Sequence, residues 1–365
     1  MTWAVALAIV LVACGRWDFD AEGDGGIGGG GGGGDGAARP NVAFVTSGMT
    51  DGVFAAPALT TADGICNTAA QNAGLPGKFV AWLSDSTTNA IDRLAGSRGW
   101  VRVDGQPLAD TPSSFIGAEM FNPLVLDESG IAVPGNDPVW TGTGSDGHLL
   151  SDGSEWTTGA ATAGSPGIDL PGFTQALTEN CGTSQAHLYC FETGNVAAVA
   201  PTMTTGGRIA FVGRPRTALD NSQVLLDELC TADATAGGLT GTFLAAVATD
   251  TDSVSSRFTL DARPWVRVDG TVIAASGARL FDGTTLDSFI NQPADGSYDP
   301  SIGGFFVGAM TPYVAGSDSD DCTNWNFTAS GALAIVGNSH TTVAGFWDWE
   351  NDTCAASDRV LCLQQ

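Results

Sequence analysis

Gly316–Asn326 reads GSDSDDCTNWN and gathers Asp318, Asp320, Asp321, Asn324 and Asn326 in one short stretch. A second acidic stretch, Trp347–Cys354 (WDWENDTC), adds Asp348, Glu350, Asn351 and Asp352. Calcium takes six to eight oxygen ligands, and carboxylates with amide carbonyls supply them. The plain reading of such stretches is a solvated acidic loop. The chemical alternative is calcium, held by Asp318, Asp320, Asp321, Asp348, Glu350 and Asp352. Trp347 and Trp349 sit among these acids, where an indole face can stack on a sugar. With Asn351 and Asp352 they are the expected ligand-binding residues.

Other chemistry finds little support. The chain has three His (His148, His187, His340) and no CxxC pair, which argues against structural zinc. No GxSxG nucleophile motif occurs, and paired carboxylates in so acidic a chain cannot mark a glycosidase. The expectation is a non-enzyme. Against 40 Asp+Glu stand 14 Lys+Arg, a formal charge of −26. Nucleic acid and anionic lipid headgroups both require clustered bases, so neither is an expected partner.

These stretches sit inside a duplication. "WVRVDG" occurs at Trp100–Gly105 and again at Trp265–Gly270. "NVAFVTS" (Asn41–Ser47) parallels "RIAFVGR" (Arg208–Arg214), and Ala73–Leu94 parallels Gly237–Phe258, with Arg93 matching Arg257. Trp156 matches Trp325, and "HLYCFE" (His187–Glu192) matches "RVLCLQ" (Arg359–Gln364). The order is kept, and the offset drifts only from 164 (Cys66 to Cys230) to 172 (Cys190 to Cys362). The chain therefore reads as two copies, residues 41–192 and 208–365, of a domain of about 150 residues, joined by an uncharged linker, 193–207. Their net charges are −12 (4 basic, 16 acidic) and −11 (8 basic, 19 acidic), so neither is a dedicated basic module. Tryptophans repeated in both copies (Trp100 with Trp265, Trp156 with Trp325) belong to the core.

Local patterns repeat as well. Ala62, Ile65, Cys66, Ala69 and Ala73 fall on one helical face, and Gly74-Leu75 reads as a glycine C-cap. In the second copy Leu226, Leu229, Cys230 and Ala234 form the stripe, with Asn221 as N-cap. "VAFV", "KFVAWL" and "WVRV" read as strands, and "TTNAIDRL" as a second short helix capped by Thr88 or Asn89. The middle of each copy is long and rich in Gly, Asp, Pro and Ser, and loops of this kind carry function.

The N-terminus points to an envelope protein. The apolar run Trp3–Ala13 is too short to span a bilayer and suits a signal peptide over residues 1–14. Leu11-Val12-Ala13-Cys14 resembles the bacterial lipobox, in which Cys14 is lipidated. Residues 15–40, nearly pure glycine at Gly23–Gly36, then act as a flexible tether averaging roughly 28 Å end to end.

Seven Cys remain in what would be an oxidising compartment. Cys66 matches Cys230, Cys190 matches Cys362, and Cys181 matches Cys354. Cys322 has Gly153 at its place in the first copy. The duplication therefore implies bridges Cys66–Cys190, Cys230–Cys362 and Cys322–Cys354, and a free thiol at Cys181. The Cys322–Cys354 bridge would draw Asp348, Glu350 and Asp352 toward Asp318–Asp321.

A helix Cys paired to the last strand, with a loop-to-loop pair nested inside, resembles the C-type-lectin-like domains. The nearer likeness is their endostatin-like branch, the C-terminal domain of collagens XV and XVIII. Ala62–Ser86 looks like its Cys-bearing helix and following strand, Val139–Trp156 like its Trp-containing segment, and His187–Glu192 like its last strand. A bacterial lipoprotein family of unknown function shares these features, and the resemblance covers 41–192 and 208–364. It implies an α+β fold with helices packed on an irregular antiparallel sheet and long loops. Endostatin's arginine clusters and N-terminal zinc-binding histidines have no counterpart here. Calcium-dependent lectins use a Glu-Pro-Asn or Gln-Pro-Asp loop and a Trp-Asn-Asp strand. Asn351-Asp352 before Cys354 is similar to the latter, whereas Gln292–Asp295 (QPAD) departs from the former and the first copy has only Thr178–Cys181 (TENC). The implied function is recognition of a glycan or protein ligand through variable loops. The alternative is a structural or adhesive envelope component. The implied location is the outer membrane or cell surface of a Gram-negative bacterium, with the lipid as membrane anchor.

Thiol titration of the denatured, unreduced chain, blocked at Cys14 by its lipid, is expected to count one free thiol. Peptide mapping that finds Cys181 bridged to Cys66 or Cys190 overturns the pairing.

Overall fold

The strands of each copy close around its own last strand. The computed structural model describes residues 38–365 except 170, 218–221, 302, 327–330 and 344. Cys14, the tether as far as residue 37 and Asn221 lie outside the described residues. The first copy contributes β1 (Asn41–Val45), β2 (Lys78–Ala81), β3 (Trp100–Arg102), β4 (Pro107–Ala109), β5 (Val139–Trp140), β6 (Gly159–Gly164), β7 (Leu177–Cys181) and β8 (His187–Thr193). They form one 8-stranded sheet in the order β4-β3-β1-β8-β5-β6-β7, with β2 also on β8. The second copy contributes β9 (Arg208–Val212), β10 (Arg216–Thr217), β11 (Phe243–Ala245), β12 (Trp265–Val266), β13 (Val272–Ala274), β14 (Gly304–Phe306), β15 (Leu333–Asn338), β16 (Glu350–Thr353) and β17 (Ser357–Gln364). These make a 9-stranded sheet, β13-β12-β9-β17-β14-β15-β16, with β10 and β11 also on β17. One long helix serves each sheet, α1 (Ala58–Asn72) and α2 (Gln223–Ala236).

The architecture is mixed α+β, and the pairing is mixed too. The expectation of an antiparallel sheet is corrected in four places: β1 runs parallel to β3, β5 to β8, β9 to β12 and β14 to β17. Long crossovers separate the partners of each pair, and parallel pairing requires them. Strand β8 is buried at every residue but its last, as a strand covered on both faces must be. On one face α1 packs with Phe44, Phe79, Trp140 and Trp156; on the other lie Trp82, Trp100, Phe115 and Phe191.

The repeated residues are scaffold. Cys66–Cys190 ties α1 to β8, and Cys230–Cys362 ties α2 to β17. Asp63 on α1 pairs with Arg93 at 2.5 Å and accepts from Ala81 N, while Arg93 donates to Ala81 O. Asp227, Arg257 and Ala245 repeat this clamp. Gly74 and Gly238 both have positive φ, and Leu75 N and Leu239 N reach back to Ala70 O and Ala234 O. These are the glycine C-caps read from the sequence. In both hexapeptides the Arg bonds the Asp two residues on, Arg102 to Asp104 and Arg267 to Asp269, each at 2.6 Å. The expected helix at Thr87–Leu94 is only a 3-10 turn, Ile91–Leu94, with Ala90 before it. Asp85 takes the N–H groups of Thr87 and Thr88, and Asn89 bonds Asp92, so neither proposed cap acts as one.

The two copies join in one compact unit, 38–365. Phe289 of the second copy packs in the first copy's core. Arg267 and Asn291 bond Met120 O, Ser288 bonds Phe121 O, and Asp169 N donates to His340 O. The joining segment is pinned along its length: Asn195 N to Asn41, Val199 N to Asp110 and Thr204 N to Gly270 O. Phe289→Ala empties a ring-sized space in the shared core. It is expected to destabilise the chain by about 3–5 kcal/mol and to lower one calorimetric transition. Two separately melting units would contradict a shared core.

Candidate functional site

Two left-handed turns organise the loop ends of the sheets. Gly153–Trp156 has φ of 60, 54, 58 and 59°, and Cys322–Trp325 has 56, 56, 55 and 64°. L-residues in this region cost roughly 1–2 kcal/mol each, so other contacts must hold the turn. The Asp before it does so from one side: Asp152 accepts from Glu155 N, and Asp321 Oδ1 accepts from Asn324 N at 2.8 Å. The tryptophan does so from the other. Trp156 Nε1 donates to Ser84 O at 2.9 Å and Trp325 Nε1 to Ala248 O at 2.8 Å. Each indole lies over a glycine, Gly142 or Gly308, where a Cβ would come within 2.7 or 2.6 Å of the ring.

On this shared turn the second copy builds something the first does not. Cys322 pairs with Cys354, whereas Cys181 stays free and buried beside Gly153, whose Cβ would lie 2.5 Å from its sulfur. Burial pushes the Cys181 thiol up, which makes it a poor nucleophile. Asp321 is fully buried, and its Oδ2 has no hydrogen-bond partner among the described residues. Asp250 and Asp318 each bring a carboxylate oxygen to it, and the three oxygens lie within 4.8 Å of one another. Burial pushes Asp321 up to about 6 against the opposing hydrogen bond from Asn324 N, and the charges of Asp250, Asp318 and Asp320 add to the rise. No ion pair among the described residues reaches any of the three carboxylates. The matching positions in the first copy are uncharged: Ser86, five residues after Ala81, and Leu149, three before Asp152.

The nine residues singled out in the sequence divide among several places. Asp318 and Asp321 join the cluster. Asp320 turns instead to Ser317 and Ser319, bonding their hydroxyls at 2.7 and 3.2 Å. The expectation that the Cys322–Cys354 bridge would bring Asp348, Glu350 and Asp352 to the cluster is corrected. Ala334 of β15 pairs with Asp321 on one side and with Asp352 on the other. One strand thus stands between them, about 10 Å at the usual strand spacing. Glu350 and Asp352 face Asp358 of β17 instead. Trp347 is 7% exposed and donates to Leu280 O, so it is a core residue rather than a free stacking face. Trp349 is 47% exposed, and Asn351 sits beside it on edge strand β16.

Asp250 was missed because it follows β11, far along the chain from Asp318. The available signal was the contrast with Ser86. Also unread was a cleft of about 220 Å³ whose lining includes Leu286, Met310, Thr311, Tyr313, Trp347 and Asp348. A wider groove, about 640 Å³, runs beside α1 between Thr50 and Thr68; Met49, Ile65, Asn72 and Glu128 line it with threonines and glycines, and it offers no aromatic face. Comparison with protein-family models and with curated proteins returns no match.

The second carboxylate group carries a pH effect. Asp358 is half-buried, and its burial, then the charges of Asp352 and Glu350, push it up to about 6. The unfolded chain releases this proton near pH 4, so the folded state binds more protons between about 4 and 6. Stability therefore falls as pH rises through that window. Melting temperature against pH is expected to drop from about 4 to 6, and Asp358→Asn to flatten that drop. An unchanged slope in the variant would count against this assignment.

Proposed function

We propose that this chain is a surface-anchored lipoprotein whose two halves are C-type-lectin-like binding modules, and that the second half recognises a glycan with calcium at Asp250, Asp318 and Asp321. The observation that carries the reading is the buried Asp321 carboxylate, one oxygen unpartnered, with two further carboxylates brought to it. A buried anion among like charges is costly unless a cation joins it. Three carboxylates supply hard oxygen ligands, and waters or loop carbonyls complete a calcium shell. The lectin-like reading is supported by the helix-to-last-strand bridge in each half and the loop-to-loop bridge in the second. Anchoring is supported by Leu11–Cys14 and the glycine tether. The first half, with Ser86 and Leu149, keeps the scaffold without the cluster.

Calorimetry and thermal melting of the full chain test it. Calcium at about a hundred times its dissociation constant stabilises by about 2.7 kcal/mol, which is read as a shift of several degrees. Asp318→Leu and Asp250→Ser, which install the first copy's residues, are expected to abolish both the heat and the shift. A glycan array read with and without chelator then tests the ligand. Absence of calcium heat removes the metal from the reading. Silence on the array with specific capture of an envelope protein favours the structural, adhesive role.

A further inference from the structure

The loop that leads into the acidic cluster also carries apolar side chains into solvent. Met310 is 67% and Tyr313 59% exposed, on the loop before Asp318. Beside them opens the cleft of about 220 Å³, with Trp347 and Leu286 also in its lining. We propose that this cleft is a sugar-ring site that takes one pyranose residue of a glycan, its C–H face against the exposed ring of Tyr313. The inference rests on the glycan-binding reading above and names the place and the ligand unit. The site is distinct from the carboxylate cluster and from Asn351-Asp352.

Size argues for one ring. The cleft falls below the roughly 300–1,000 Å³ of pockets that take drug-sized ligands, so a single residue fits and the rest of a chain continues outward. Polarity argues for a sugar over an apolar ligand. Thr311 lines the cleft, and its hydroxyl is buried without a partner among the described residues. Asp348 adds an exposed carboxylate and Thr284 a second hydroxyl. A wholly apolar ligand would leave the Thr311 hydroxyl unpaired, at the usual desolvation cost. Sugar hydroxyls pair with these groups, while the partly positive C–H face of the ring meets the negative face of an aromatic side chain.

The first copy has no equivalent. Its counterpart segment, Gly144–His148, is a tight turn closed by Gly144 N to His148 O, and it contains no Phe, Tyr or Trp. A Cβ at Gly147 would come within 2.8 Å of Ile91, so the turn lies flat against that side chain. One site per chain follows.

A glycan microarray probed with the full chain in calcium selects the sugar. The methyl glycoside of the best-bound terminal sugar is then titrated by calorimetry. The expected result is one site per chain. Tyr313→Ala is expected to weaken binding by about tenfold or more, as loss of an aromatic anchor does, and Thr311→Val to weaken it several-fold, both at unchanged melting temperature. Sugar bound as tightly by both variants, or at two sites per chain, overturns the cleft and leaves the glycan reading standing. No binding to any array sugar overturns both.

Discussion

The second half depends on one constraint, the left-handed turn at Cys322–Trp325. The turn is disfavoured by its own backbone and persists because Trp325 anchors to Ala248 O and Asp321 holds Asn324 N. The Asp321 carboxylate makes that hydrogen bond from inside the protein. In the first half Asp152 makes the equivalent bond to Glu155 N from a half-buried position, and Ser86 and Leu149 stand where Asp250 and Asp318 are. An ordinary turn-stabilising aspartate thus becomes, with Asp250 and Asp318 beside it, a concentrated negative charge in a poorly solvated place.

Duplication separates scaffold from specialisation within one chain. The helix-to-strand bridges, the Asp–Arg clamps on Ala81 and Ala245, the glycine C-caps and the two tryptophan turns recur with the same partners. The differences collect between Met310 and Cys354, an apolar loop, the Asp318 carboxylate and a disulfide, with Asp250 added from the loop after β11. A bridge from Cys322 to Cys354 restrains both ends of this region, while the sheet beneath stays common to both halves. Specialisation of one copy is also consistent with how the halves are joined. Phe289 and the Arg267–Asn291 bonds to Met120 commit the second copy's inner surface to the first, while Met310 and Tyr313 stay exposed.

How much of this was legible depends on the range of the interaction. The two long helices, their C-caps and the scaffold role of WVRVDG were legible because they depend on neighbours in sequence or on the repeat itself. The disulfide partners were legible because two copies constrain each other. The candidate site was half legible. Asp318 and Asp321 showed as an acidic run, but Asp320, one residue away, turns to Ser317 and Ser319. Composition cannot say which carboxylates of a run converge.

By itself the sequence determined that the chain is acidic and carries a duplicated domain, since composition and internal identity report these directly. Only the tertiary structure decided that Asp250 meets Asp318 and Asp321, that β15 keeps Asp352 away from them, and that Trp347 packs inward while Tyr313 stands out. Each of those depends on which strand lies between two residues and on which face of a sheet a side chain takes. Those are set by long-range pairing, and a linear pattern of charges and aromatics does not contain them.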